Sequence, residues 1–114
     1  MKNNFDTVCI IGLGLIGGSI GLSMKKNNFE SKIIGYAKTE KTLLRAVERG
    51  LVDYTEKNLV EAVNDADLII LATPLSTFKP IIKEIAPFLK KGSIVTDTGS
   101  ANFAVLEELK DLIP

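Results

Sequence analysis

The sequence predicts an α/β protein: a doubly wound parallel sheet between two helical layers, formed as one unit over residues 1–114. Three observations carry that prediction. The run Val8-Cys9-Ile10-Ile11 is apolar without a break, the pattern of a strand buried on both faces. It passes directly into Gly12-Leu13-Gly14-Leu15-Ile16-Gly17, a G-x-G-x-x-G that opens a segment with helical spacing. Further along, strand-like runs alternate with helical patterns at short connections, which calls for right-handed crossovers and a parallel sheet. The expected strand order is 3-2-1-4-5, with a ligand crevice where the order reverses, between the ends of strands one and four.

Residues 1–6 read as a polar lead-in to the first strand. In the first helix, Ile16, Ile20 and Met24 repeat every four residues as a core-facing stripe, and Gly21 is expected to pack closely on the sheet. Lys25 to Asn28 end that helix with cations and turn formers. Lys32–Ala37 is the second strand. Thr39 is placed to cap a second helix, with Leu43, Leu44 and Val47 expected on its buried face. Gly50 is expected to be its C′ glycine, with Leu51 making the accompanying hydrophobic contact. Val52–Thr55 reads as a short third strand, and Leu59, Val60 and Val63 mark a brief third helix. Asp67–Thr73 is the fourth strand, ending at Pro74. Thr77 is expected to cap a fourth helix carrying Phe78, Ile81, Ile82, Ile85 and Leu89, with Pro80 in its first turn and Pro87 shortening its last. Lys90, Lys91 and Gly92 close it. Ser93–Asp97 is the fifth strand, and Asn102 opens a final helix with Leu106, Leu109 and Ile113.

Composition narrows the function. The chain has 114 residues, 46% of them hydrophobic and 25% charged, which is ordinary for a globular domain. A chain of this size buries about two thirds of its unfolded surface, enough for a core of its own. Fourteen basic residues balance fourteen acidic ones, so nothing points to nucleic acid or an acidic membrane. No apolar run reaches bilayer-spanning length and no signal-peptide pattern opens the chain, so a cytoplasmic location is expected. The single cysteine, Cys9, sits in the first strand, where a core thiol is expected, and it builds neither a disulfide nor a metal site. The chain has no histidine, which removes the commonest general acid/base at neutral pH.

The glycine turn has a chemistry of its own. Gly12 permits the tight turn, Gly14 lets the backbone approach a pyrophosphate, and Gly17 lets helix and strand pack closely. The helix that follows offers unpaired N–H groups and the positive end of its dipole to a phosphate. The motif sits between a strand and a helix, the context in which this Rossmann-type fingerprint binds a dinucleotide.

Beyond the glycine turn, the stretches GLGLIGGSIG, IIGYAKTEKTL, RGLVD, DADLIILATP and IVTDTGS resemble, in register, the prephenate and arogenate dehydrogenases of tyrosine biosynthesis. The resemblance covers essentially the whole chain. It implies oxidation of prephenate or arogenate by NAD or NADP, with hydride leaving the ring carbinol carbon and decarboxylation and aromatisation following. It also implies that Gly12, Gly14, Leu15, Ile16 and Gly17 hold the pyrophosphate, and that Thr73 and Pro74 lie against the nicotinamide-side ribose. Ser100, in the family's glycine–serine loop, would face substrate and assist a catalytic histidine; as an alternative it caps a helix. Two departures stand out. Asn102 replaces a lysine common two residues after that serine, and the family's histidine and its helical substrate and dimerisation domain would lie beyond Pro114. The expectation is the amino-terminal cofactor domain of a longer, homodimeric enzyme, inactive by itself. The other class of reading is a stand-alone NAD(P)-binding sensor or interaction module on the same fold. Prephenate and arogenate are not separated by these residues.

Cofactor preference turns on the end of the second strand. NAD-selective sites place an acid about 20 residues past the glycine turn, on the adenosine ribose 2′-hydroxyl. That position is Ala37, followed by Lys38 and Thr39, with Lys41 one turn on. Alanine neither grips the two hydroxyls nor repels a 2′-phosphate, whereas Lys38 offers a cation and Thr39 a hydroxyl. The reading leans to NADP over NAD. A solvated Lys38 and a Thr39 that only caps the helix form the alternative.

Overall fold

A computed structural model describes residues 5–26 and 31–97. Strands β1 (Thr7–Ile11), β2 (Lys32–Tyr36), β3 (Tyr54–Glu56), β4 (Leu68–Leu71) and β5 (Ile94–Asp97) form one sheet in the order β3-β2-β1-β4-β5. Every pairing is parallel. The helices are α1 (Leu15–Lys26), α2 (Glu40–Glu48), α3 (Leu59–Val63) and α4 (Phe78–Ile85). The expected architecture and strand order are both observed.

The unbroken apolar run of β1 follows from having a helical layer on each side. Val8 and Ile10 join Leu68 and Ile70 of β4 beneath α1 and α2, where they meet Met24, Leu43 and Ala46. The alternate residues Cys9, Ile11, Ile69 and Leu71 face α3 and α4, against Leu59, Ala62, Val63 and Ile85. Burial pushes the Cys9 thiol up to about 12, so it remains a protonated core residue.

Several local expectations hold. Thr39 Oγ1 accepts from the Thr42 amide at 3.3 Å at the start of α2; the cap of α3, Asn58, which accepts from the Glu61 amide at 3.0 Å, is not among those expectations. Gly50 ends α2 at φ +65°, with its own amide on the Val47 carbonyl and the Leu51 amide on that of Ala46, a Schellman motif. Helix α4 stops at Ile85 and tightens into a 3₁₀ turn over Ala86–Phe88 around Pro87.

Others are corrected. Leu43 is buried, but Leu44 and Val47 are 64% and 51% exposed, and the second buried residue of α2 is Ala46 at 1%. Helix α2 thus rests on the Leu43–Ala46 edge, and Leu44 and Val47 line an open surface groove with Thr55 and Lys57. The third strand runs Tyr54–Glu56 rather than Val52–Thr55: its pairing with β2 starts at Ile34 opposite Tyr54, one residue after the Asp53 amide bonds the Ile33 carbonyl, and Val52 before it is buried in the core. Gly21 packs on the loop after α2 more than on the sheet: a Cβ there would stand 2.2 Å from the Leu51 carbonyl oxygen. The lead-in is not wholly polar, since Phe5 is buried in the core. Thr77 precedes α4 but makes no side-chain capping bond. Of the residues expected to end α1, Lys25 and Lys26 form its last turn, whereas Asn27 and Asn28, and the final helix with Leu106, Leu109 and Ile113, lie outside the described residues.

The edge of the sheet where the strands begin is tied by two aspartates. Asp67, just before β4, accepts the Asp6 and Thr7 amides at 2.9 Å each and pairs with Lys90 at 2.5 Å. Asp53, just before β3, accepts the Ile33 amide at 2.9 Å and pairs with Lys25. For each, burial would raise the carboxyl pKa, but the lysine hydrogen bond, the backbone N–H groups and the lysine charge together hold it below the usual range. A carboxylate whose pKa is lower folded than unfolded stabilises the fold above its unfolded value, about 3.9, and loses that contribution as pH falls through the folded value. Urea unfolding of wild type and Asp67→Asn should therefore show the variant weaker at pH 7, with the gap closing as pH falls below the ordinary carboxylate range. A gap independent of pH would contradict this assignment.

Candidate functional site

At the opposite edge, where the strands end, the chain leaves β1 through Gly12, Leu13 and Gly14 and enters α1 at Leu15. Gly12 adopts φ +98°, a conformation that side chains rarely tolerate, and its amide donates to the Tyr36 carbonyl of β2 at 2.8 Å. Leu13 turns inward and fills the space over Gly35, where a Cβ would stand 2.7 Å from the leucine Cδ1. Gly14 gives the first helical acceptor, taking the Gly18 amide at 2.9 Å. As in any helix, the amides of the first turn (Leu15, Ile16 and Gly17) have no partner within the helix, and this turn stands at the strand-end edge of the sheet.

The three motif glycines are required for different reasons. A Cβ on Gly17 would lie 1.9 Å from the Gly12 carbonyl oxygen, and one on Gly12 would lie 2.7 Å from Thr73 Cγ2. Both are demanded by the protein's own packing. A Cβ on Gly14 would meet nothing within 4 Å, and its φ is not in the left-handed region. The fold therefore does not require glycine at 14. Open space at the mouth of a helix N-terminus is what an approaching anionic group needs, so the turn fits the phosphates of a dinucleotide.

The other expected residues divide into those brought to this edge and those not described. Thr73 and Pro74 follow β4, whose neighbouring Ala72 amide binds the Ile11 carbonyl at 2.8 Å, so they stand directly beside Gly12. Ala37 is the first residue past β2 and is buried; Lys38 and Thr39 follow it, both exposed. The Thr39 hydroxyl is engaged by Thr42, through its amide and through its hydroxyl at 2.8 Å. Among the described residues, no ion pair occupies Lys38 or Lys41. Ser100 and Asn102 lie outside the described residues. Asp97 is the last residue of β5, as expected. One site-forming residue not anticipated from the sequence is Thr77, whose hydroxyl bonds both Thr73 and the Pro74 carbonyl; the signal available was the T-P-x-x-T spacing.

The fold and this edge define an α/β nucleotide-binding domain. A sequence model described as "Prephenate dehydrogenase, nucleotide-binding domain" matches residues 20–114, and the chain belongs to that family. The match begins inside α1, so the glycine turn is a separate observation. The prephenate dehydrogenase of Lactococcus lactis is 43% identical over 88% of this chain and 28% of its own length. That of Bacillus subtilis is 32% identical over 100% of this chain and 31% of its own. Among solved structures, prephenate dehydrogenase from A. aeolicus in complex with hydroxyphenyl propionate and NAD+ superposes with a TM-score of 0.77. It is 28% identical and is covered over 38% of its length by 99% of this chain. The chain thus spans about a third of the length of the curated relatives it matches. No helix among the described residues is long and apolar enough to cross a membrane.

The glycine geometry predicts a separation of stability from binding. Gly17→Ala forces α1 off the turn and should cost about 1–3 kcal/mol of stability. Gly14→Ala, at an open helix N-cap, should cost less than about 1 kcal/mol. Chemical denaturation of the two variants beside wild type checks this; equal losses would contradict it.

Proposed function

We propose that this chain is the cofactor-binding part of a prephenate or arogenate dehydrogenase and that the crevice edge of β1 and β4 takes a nicotinamide dinucleotide. The observation that carries this is Gly14: a glycine that the fold does not need, at the one place in a strand–turn–helix where a pyrophosphate needs bare backbone. Gly14, Leu15, Ile16 and Gly17 hold the phosphates through backbone N–H groups, Gly12 shapes the turn beneath them because its own amide is taken by the Tyr36 carbonyl, and Thr73 and Pro74 line the nicotinamide side. The NAD+ complex of the A. aeolicus structure supports this direction of reading. The bound nicotinamide supplies a hydride acceptor; the substrate side is completed by Ser100 and by a histidine and helical, dimer-forming domain in residues beyond Pro114.

The second part of the proposal is a preference for NADP over NAD. Ala37 is buried and apolar where an acid would bind the ribose 2′-hydroxyl, while Lys38 is exposed and unpaired among the described residues. Thr39 is engaged in capping, so the preference rests mainly on Lys38. One charge-assisted phosphate contact supplies about 1.4 kcal/mol, a tenfold preference, and it weakens with salt because the lysine is exposed.

Calorimetric titration with NADP+ and NAD+ at two salt concentrations tests both parts. Wild type should bind NADP+ about tenfold more tightly at low salt, with the margin shrinking at high salt. Gly14→Val should lose at least about tenfold for both, and Ala37→Asp should reverse the preference. Equal binding by wild type and Gly14→Val would overturn the dinucleotide reading. Tighter binding of NAD+ at low salt would overturn the preference alone.

A further inference from the structure

Thr77 occupies the position of a helix N-cap without acting as one. Its backbone is helical, at φ −90° and ψ −12°, and a 3₁₀ turn over Leu75–Thr77 runs straight into α4. Its side chain turns back to the end of β4 instead. Thr77 Oγ1 donates to the Pro74 carbonyl at 2.6 Å, and the Thr77 amide donates to the same carbonyl at 2.9 Å. Thr77 Oγ1 also lies 2.6 Å from Thr73 Oγ1.

A threonine hydroxyl has one proton and two lone pairs. The Pro74 carbonyl can only accept, so the Thr77 proton lies on that bond. The proton between the two threonines must then come from Thr73. Thr73 is also held at its other branch, since its Cγ2 packs against Gly12, 2.7 Å from where a Cβ would be. With both branches of a β-branched side chain engaged, χ1 is fixed. What Thr73 Oγ1 has left for a ligand is lone-pair capacity only.

Resting on the dinucleotide reading above, we infer that Thr77 is a positioning residue that makes Thr73 an obligate hydrogen-bond acceptor for a donor group on the nicotinamide half of the cofactor. A phosphate oxygen gains nothing from such a hydroxyl. A ribose hydroxyl or the carboxamide NH₂ does. The two sides of the crevice therefore have opposite polarity: backbone N–H donors at the glycine turn for the pyrophosphate, and a threonine acceptor at the end of β4 for a ligand donor.

The test is calorimetry on wild type, Thr77→Val and Thr77→Ser. The ligands are NAD+, ADP, 3-acetylpyridine adenine dinucleotide (a methyl in place of the carboxamide NH₂), and NAD+ deoxygenated at the 2′ or 3′ position of the nicotinamide ribose. Thr77→Val keeps the side-chain shape but removes the acceptor that takes the Thr73 proton. It should weaken NAD+ by about 3- to 10-fold, the range of one neutral hydrogen bond, and leave ADP within about twofold. Thr77→Ser should restore NAD+ binding. In wild type, one of the analogues should bind about 3- to 10-fold more weakly than NAD+, and that penalty should shrink in Thr77→Val; which analogue does so names the donor. The inference falls if Thr77→Val weakens ADP and NAD+ alike, if it leaves NAD+ unchanged, if serine fails to rescue, or if every analogue matches NAD+ in wild type. Failure of wild type to bind either ADP or NAD+ would remove the dinucleotide reading itself. ADP binding with NAD+ indifferent to Thr77 would remove only the present inference.

Discussion

The approach of helix α1 to the turn beneath it is the constraint on which the rest of the structure depends. The Gly17 Cα sits so near the Gly12 carbonyl that a single methyl would be driven into it at 1.9 Å. That closeness continues along the same layer. Gly21 meets the Leu51 carbonyl, and Gly35 of β2 receives the inward-turned Leu13. The helix is therefore set by backbone contacts, which have no rotamers with which to yield. Its N-terminus is held over the end of β1, which is where a phosphate can use its free amides.

The two edges of the sheet are built on different principles. Where the strands begin, Asp53 and Asp67 bind strand N–H groups and lysines, tying β1 to β4 and β2 to β3 with charge-assisted bonds. Where the strands end, the groups that converge are small or neutral: Gly12, Gly14, Ala37, Thr73 and Pro74. The acids at this edge, Glu56 and Asp97, end the outer strands β3 and β5, and a centre without an acid suits a ligand that carries its own negative charge. It also gives the threonine pair a setting in which a single proton decides which ligand groups are welcome.

Much of this was legible from residue patterns, and the exceptions have physical causes. The apolar run of β1 is readable because layers on both faces remove the usual alternation, and the strand order follows from the handedness of crossovers. Gly50 was readable because the motif it ends has a fixed backbone geometry. The buried edge of α2 was not, because hydrophobicity favours Leu44 and Val47, whereas close packing selects the small Ala46. The three-residue β3, at the sheet edge, carries too little pattern to fix its start. Thr77 looked like a cap because its type and place are those of a cap; only the fold shows a nearer partner at Thr73. The glycine turn was legible as a motif, but the distinction between Gly17, needed by the fold, and Gly14, not needed by it, is a matter of distances.

The central claim is that a nicotinamide dinucleotide lies across the strand-end edge, over the glycine turn and against the end of β4. Amide chemical-shift mapping of the isotope-labelled chain during titration with NADP+ tests it most directly. The account predicts saturable shifts concentrated at Gly12–Gly18, Ala37–Thr39 and Thr73–Thr77, with Asp53, Asp67 and Lys90 at the far edge unmoved. Shifts centred at the far edge or in the Leu44–Val47 groove, or none at millimolar dinucleotide, would contradict it.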